Sequence, residues 1–460
     1  MRHLSYFLFC AAAGLLALAG CDDFVEVDLP PTQLTAEGVF ESAPTANAAM
    51  AAVYAGFRDG GLMTGKPNGI SSLMGGYADE LDYYGLAGTS MESFYRNTLV
   101  ASDLGVDAYW TFTYSQIYGA NAVIEGVSAS PSIPEADKKR LVGEGLFARA
   151  WLHFYLAGLF GDVPYVATTD YAANAAVSRL PVAQVYALAI SDLEEALALL
   201  PDTYNTARRI KPNKWVAQAF LARAYLYAGR HAEAANAASA VLNHTELFAL
   251  NPSVSSVFLR TSTETVWQLQ PVSATANASE GASFIFLSGP PPNMALSPGL
   301  LGAFEPGDLR RAAWTLAVAG AGATWHHAYK YRQQGSTAAS QENSIMMRLA
   351  ELYLIRAEAR ARQGELLGAR DDLDAIRLRA GLPRSTAQGQ QELLQAILRE
   401  RRVELFTETG HRFFDLKRFG MADATLAGVK PNWTPTAALL PIPERELLRN
   451  PNLGSQNPGY

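Results

Sequence analysis

Residues 219–242 read AFLARAYLYAGRHAEAANAASAVL, and residues 354–377 read LIRAEARARQGELLGARDDLDAIR. The two stretches align at a shift of 135 positions. Ala222, Ala224, Gly229, Ala234, Ala238 and Val241 fall on Ala357, Ala359, Gly364, Ala369, Leu373 and Ile376. In each, an apolar series at helical spacing runs into a glycine, and a second such series follows. Small side chains at fixed offsets let two antiparallel helices approach closely. A pair built this way leaves a face that a neighbouring pair must cover. The fold predicted from these stretches is a stack of helical hairpins.

Small residues at these offsets around a glycine turn are the tetratricopeptide (TPR) pattern. An alanine-rich hairpin of another kind shares the composition, and the six matched positions favour the repeat. Ala148-Arg149-Ala150-Trp151 reads as the start of a weaker copy. Working outward, the periodicity predicts helices over 42–58, 106–127, 136–160, 181–200, 213–228, 231–243, 344–363, 366–380 and 390–408. TPR-like hairpins are thus expected at 213–243 and 344–380. Two regions lack a helical period, 59–105 and 245–340. In the second, Thr265–Leu269 and Tyr329–Tyr331 read as short strands, with glycine/proline-rich loops between them such as Gly289-Pro290-Pro291-Pro292-Asn293. Long irregular stretches in a compact protein are often functional, so both regions are expected to bind ligand.

The start of the chain carries its own signal. Met1-Arg2-His3 precedes an apolar run from Tyr6 to Ala19. That run is shorter than the ~20 residues a membrane-spanning helix needs. It matches a secretion signal. Leu18-Ala19-Gly20-Cys21 matches a bacterial lipobox, with Cys21 as the lipid acceptor. A plain secretory signal beside an incidental cysteine is the alternative. The expected organisation is a signal peptide at 1–20, a lipid anchor and extended tether at 21–41, and one body at 42–460. The mature chain then keeps a single cysteine and can form no internal disulfide.

Composition excludes several functions. A net charge of −7 over 460 residues gives no basic footprint for nucleic acid. Seven histidines and two cysteines supply no cysteine-rich zinc site, and no H-E-x-x-H or G-x-S-x-G occurs. Gly60-x-x-x-x-Gly65-Lys66 is followed by Pro67 where a phosphate-binding loop needs Ser or Thr. Glu194-Glu195 and Asp371-Asp372 read as solvated helix faces. No catalytic residue, metal or cofactor is therefore expected. Glycosidases place two carboxylates anywhere in a sequence, so surface glycan hydrolysis stands as a rival. A TPR scaffold with protein ligands alone is a second rival.

Residues Arg399-Glu400-Arg401-Arg402-Val403-Glu404-Leu405 and Gly410-His411-Arg412-Phe413-Phe414-Asp415-Leu416-Lys417-Arg418-Phe419-Gly420 form a distinctive block. Together with 348–359, 377–383, Leu440-Pro441-Ile442-Pro443 and the ending Gln456-Asn457-Pro458-Gly459-Tyr460, it resembles the SusD/RagB family of nutrient-binding outer-membrane lipoproteins. Residues 110–121 and 144–164 fit the family's N-terminal helices. The resemblance implies a mainly α fold: a SusD-like superhelix of four TPR-like hairpins, with an irregular loop-rich half and a few short strands. It implies a non-catalytic cell-surface lipoprotein that binds a glycan or other oligomeric nutrient. The partner it implies is a SusC-like TonB-dependent outer-membrane transporter, met on the TPR side and capped as by a lid. Asp22-Asp23 resembles a surface-export signal. Within the block, Glu400, Arg401, Glu404, Glu408, Arg412, Asp415 and Arg418 sit among aromatics, which predicts paired, hydrogen-bonded charges that fix helix register.

Sugar recognition needs aromatic faces beside groups that bond hydroxyls. The stretch 59–105 offers Asp79, Glu80, Asp82, Tyr83, Tyr84, Phe94, Tyr95, Arg96 and Asn97. Of these, Asp79, Glu80, Asp82, Tyr83, Tyr84, Tyr95, Arg96 and Asn97 are the ligand candidates, with Trp325 added from the second irregular region. Trp267, inside a short strand, is expected in the core.

Overall fold

The computed structural model of the chain describes residues 36–204, 206 and 208–460. The signal peptide, Cys21, Asp22-Asp23 and the tether up to residue 35 lie outside the described residues. The chain divides into Met1–Val39 and Phe40–Tyr460. Of the first, the described part is one helical turn, Ala36–Val39. The sequence reading had these residues in the extended tether; Ala36 and Glu37 are good helix formers.

Among the described residues, nine helices of twelve residues or more and the shorter α10 organise the second unit: α1 (Ala43–Asp59), α2 (Leu104–Ala129), α3 (Glu135–Phe160), α4 (Val182–Leu199), α5 (Lys214–Tyr227), α6 (His231–Leu242), α7 (Leu349–Arg362), α8 (Leu366–Arg379), α9 (Gln390–Glu404) and α10 (His411–Arg418). Each of α1 to α8 packs on the next. Four hairpins result, α1/α2, α3/α4, α5/α6 and α7/α8. Local chemistry sets the ends. Ser42 caps α1 by accepting from the Thr45 amide, and α1 buries Ala46, Met50, Val53 and Phe57 along one stripe. Gly229 and Gly364 turn the last two hairpins at φ +74° and +84°, which only glycine adopts freely.

The helix α3 is buried on every side from Gly143 to Phe160. Trp151 is fully buried at its centre, packed on Phe147, Phe220 and Trp267 with ring centroids 4.3–5.8 Å apart. Trp267 is itself fully buried. Emptying such a site costs about 3–5 kcal/mol.

The irregular half consists of insertions between these helices. Among the described residues, six strands form three antiparallel pairs: β1 (Leu81–Tyr83) with β3 (Met294–Leu296), β2 (Thr265–Leu269) with β6 (Ser344–Arg348), and β4 (Thr315–Gly320) with β5 (Ala323–Ala328). Ala321 and Gly322, at φ +47° and +78°, close the β4–β5 hairpin as a two-residue turn with the right-handed twist of its strands.

Four local readings are corrected by the structure. The helix expected from 344 begins at Leu349, because residues 344–348 are β6. A continuous apolar run such as Ile345-Met346-Met347, buried on both faces, reads alike as strand or helix. Tyr329–Tyr331 are not a strand; the strand is β5, which ends at Ala328. The last long helix stops at Glu404 rather than 408, since Thr407, Thr409 and Gly410 take left-handed backbone conformations. Asp372 is not solvated: it is buried against Arg356 and Arg360, at 2.7 Å from each.

The charged block is a buried ion-pair network. Glu404 receives Arg310, Arg348 and Arg379. Arg348 also reaches Glu264 and Glu408, and Lys330 reaches Glu408. Burial opposes ionisation of Glu404, but the three guanidiniums outweigh it and hold the carboxyl well below the usual range. Arg401 and Arg418 share Asp415. Between hairpins, Arg223 binds both oxygens of Glu351 at 2.6 Å and the Tyr155 hydroxyl at 2.7 Å.

Candidate functional site

The chain passes from the short helix Ile70–Tyr77 into β1, then through a loop into the short helix Ser90–Arg96. Thr89 caps the second helix, and Asn97 ends it in the left-handed conformation, its side-chain amide donating to the Tyr77 carbonyl at 3.0 Å. Tyr83 and Tyr84 are carried at the end of β1. The Tyr84 amide donates to the Asn293 carbonyl at 2.7 Å, which ties this end to the Gly289–Asn293 loop.

Trp325, on β5, meets Tyr84 edge to face, with ring centroids 6.2 Å apart at 85°. Tyr84 is 42% exposed and Trp325 is half-buried. The indole rests on Gly289: a Cβ there would lie 2.2 Å from its Cζ3. The glycine is therefore a seat for the ring. Beside this pair, Tyr83 and Tyr95 lie 6.2 Å apart, and the Tyr95 hydroxyl donates to Asp82 at 3.5 Å. Lys430 places its ammonium 3.8 Å from the centre of the Tyr95 ring. Burial pushes the Lys430 ammonium down to about 8, against the pull of Asp82 and Asp79. Burial also raises Asp82, against Lys430 and Tyr95. Leu86 and Leu287, on the two adjoining loops, are over 80% exposed. The arrangement offers aromatic surface in two orientations with a carboxylate and phenols beside it, while the Lys430 ammonium is buried beneath and donates to the Gly76 and Tyr95 carbonyls.

The structure thus brings Asp82, Tyr83, Tyr84, Tyr95 and Trp325 together. It removes others from the open surface. Asp79 is buried and ion-paired at 2.7 Å with both Arg402 and Arg412. Glu80 is buried, accepts from the Thr407 amide at 3.2 Å, and is raised to about 7 by burial. Asn97 serves its helix end, and Phe94 is core. Arg96 is exposed and paired with Glu92 at 2.7 Å along its own helix. Gly289 and Lys430 were not among the sequence candidates. The Gly289–Asn293 loop was visible as a turn-rich run, but nothing in the sequence linked it to Trp325, and Lys430 carries no local signal.

Elsewhere, a depression of about 480 Å³ is apolar and aromatic. Trp110, Tyr114 and Tyr118 of α2 form one side, with Tyr171 and the C-terminal residues Glu446 and Arg449 across from them. Among the described residues, no three His, Cys, Asp or Glu gather as a metal site, and no helix is long and apolar enough to cross a membrane.

Comparison with known proteins adds to this geometry. A family model described as "Starch-binding associating with outer membrane" matches residues 74–226, and the model of the SusD family matches residues 316–460. SusD-like protein P2 of Formosa agariphila is 29% identical, with 97% of this chain and 98% of that protein aligned. SusD-like protein P25 of the same organism is 22% identical over 96% of each. Solved structures share the fold. A SusD superfamily protein from Bacteroides vulgatus has a TM-score of 0.79 at 20% identity, covering 91% of this chain and 99% of that one. A laminarin-binding SusD-like protein has a TM-score of 0.75 at 24% identity, covering 91% and 99%. Surface glycan-binding protein A from Bacteroides thetaiotaomicron has a TM-score of 0.76 at 18% identity, covering 92% and 100%.

Proposed function

This chain belongs to the SusD/RagB family, and we propose that it is a non-catalytic, lipid-anchored surface protein that captures an oligosaccharide and delivers it to a TonB-dependent transporter. The observation that carries the reading is the half-exposed Tyr84–Trp325 pair seated on Gly289, with Asp82 and Tyr95 alongside. A pyranose presents an apolar face and a rim of hydroxyls, and these rings and polar groups match both. The names of two structural neighbours, one laminarin-binding and one glycan-binding, support a carbohydrate ligand.

The transporter is supported by family membership and by apolar surface on the helical array. Tyr118 on α2 is 53% exposed and Tyr171 is 84% exposed, and both line the same depression. Exposed aromatics grouped in this way mark protein contacts. Membrane attachment rests on the lipobox cysteine.

The test is calorimetry with a panel of neutral glycans, laminarin and starch oligomers included, on wild type and Trp325→Ala. Binding lost in the variant supports the reading, and binding unchanged sinks it. New reducing ends after incubation with the same panel would favour hydrolysis instead.

A further inference from the structure

The outward stripe of α9 carries Gln391, Gln395, Arg399 and Arg402 at helical spacing, while Leu393, Ile397 and Glu404 face inward. That stripe forms one wall of a cavity of about 410 Å³ whose lining shares no residue with the aromatic patch. Arg362 from the end of α7 and Arg412 and Arg418 from α10 form the others. Five guanidiniums therefore line one pocket, with two side-chain amides and the Thr425 hydroxyl, and no carboxylate is among the lining residues.

Three carboxylates outside the lining pair with four of these five guanidiniums, Asp415 with Arg418 while also shared with Arg401. Asp79 serves Arg402 and Arg412 together. Glu358 serves Arg362 and Arg418. Arg399 is exposed, and although its charge acts on Glu305 of a neighbouring cavity it makes no direct hydrogen bond or ion pair among the described residues. Two further donors are unused: the buried Nε atoms of Arg402 and Arg418 have no hydrogen-bond partner. The Arg418 side chain is nine-tenths buried. Phe419 has guanidiniums 5.0 Å and 4.9 Å from its ring centre, from Arg362 and Arg418, so the ring is already engaged by cations. Five guanidiniums set against three shared carboxylates leave the pocket with excess positive charge, and with its aromatic ring already engaged it suits a compact oxyanion better than a neutral sugar face.

We infer that this pocket is an oxyanion subsite, and that the captured oligosaccharide bears sulfate ester or carboxylate groups. The saccharide as carrier rests on the glycan-capture reading; the oxyanion site rests on the pocket itself.

Three ligands separate the two: a sulfated galactan oligosaccharide, the same oligosaccharide after desulfation, and inorganic sulfate. A uronate oligomer tests the carboxylate source. The variants are Gln395→Glu and Arg399→Gln, both exposed and outside the buried ion-pair network. Wild type is expected to bind the sulfated form at least tenfold more tightly than the desulfated form in low salt, with the preference shrinking as salt rises. Gln395→Glu should remove the preference and Arg399→Gln should reduce it at least threefold, with desulfated binding unchanged. Inorganic sulfate should raise the Tm of wild type more than that of Gln395→Glu at equal ionic strength. Equal affinity for the two oligosaccharides, or a preference that survives both variants, overturns the oxyanion site while leaving glycan capture standing. A sulfate-dependent Tm difference with no oligosaccharide bound overturns the saccharide carrier and leaves the site.

Discussion

Gly289→Ala tests the aromatic patch without touching either aromatic residue. An added Cβ would sit 2.2 Å from Cζ3 and 2.4 Å from Cε3 of Trp325. Carbon atoms in contact keep about 3.5–4.0 Å, so the indole must retreat by roughly 1.5 Å. Trp325 is half-buried and can swing toward solvent, so the stability cost should stay near ~1 kcal/mol. Binding should suffer more. The 6.2 Å edge-to-face contact with Tyr84 would open, and such pairs contribute about 0.5–1.5 kcal/mol. A ligand face of roughly 80 Å² lost from the indole, at ~25 cal/mol per Å², removes about 2 kcal/mol. The Tyr84 contact belongs to the free protein and counts toward its stability, so the lost ligand face sets the affinity loss at roughly 30-fold, taking ~1.4 kcal/mol per tenfold. Calorimetry with a glycan that wild type binds reads the affinity, and thermal unfolding reads the stability. The change made on a Trp325→Ala background should add little, because both substitutions act through the same ring. Affinity within twofold of wild type for Gly289→Ala would refute the reasoning.

Other sites give sharper thermodynamic signatures. Glu80 is held at about 7 by burial, above the ordinary carboxylate value, so the folded state keeps a proton that the unfolded state releases. Its contribution is fully present below pH ~4.5 and is lost as pH rises toward 7, amounting to about 3 kcal/mol. Glu80→Gln should therefore stabilise the protein at pH 8 and flatten its stability between pH 4.5 and 7; an unchanged urea-unfolding profile would count against this. Glu404 has the opposite sign, with a depressed carboxyl that stabilises the fold above its unfolded value and fails as acid reaches its folded one. Glu404→Gln leaves Arg310, Arg348 and Arg379 short of a shared anion and should cost about 3–5 kcal/mol, seen as a drop in Tm. Cys21→Ser should move the protein from the membrane fraction to the soluble one; retention on the membrane would sink the lipid-anchor reading.

The helical array was legible because its information is local. The alanines and glycine repeated between 222–241 and 357–376 encode helix, turn and close packing within one segment. The first and second hairpins were harder to see, since 44 residues (60–103) separate α1 from α2 and 21 residues (161–181) separate α3 from α4. Periodicity found those helices but could not pair them. The site was less legible still. Tyr84 comes from the insertion between α1 and α2 and Gly289 and Trp325 from the one between α6 and α7, over 200 positions later, and the signal joining them is a missing side chain at Gly289. Asp79 shows the converse error. Its neighbourhood looked like a sugar-binding cluster, yet its partners Arg402 and Arg412 lie over 320 residues away and take it out of solvent.

That same long-range pairing gives the buried charges a role that hydrophobic residues would not fill. Glu264 precedes β2, Arg348 ends β6, Arg379 ends α8, and Glu404 ends α9. Together these pairs join the β2/β6 strands to each other, to α8 and to α9, and α8 to α9. Apolar contacts would hold these segments together but tolerate sliding, whereas a guanidinium shared between two carboxylates accepts one register. Lys330, two residues beyond β5, extends the tie to the strand that carries Trp325, through Glu408 and the carbonyls of Glu404 and Phe406. A binding surface made of insertions is thereby fixed before ligand arrives, so less of the interaction energy goes into ordering it. If this is the network's function, Lys330→Met should lower glycan affinity more than its Tm loss alone accounts for. Heating wild type to an equal fraction folded gives the comparison, and equal affinity per folded molecule would show that the network serves stability alone.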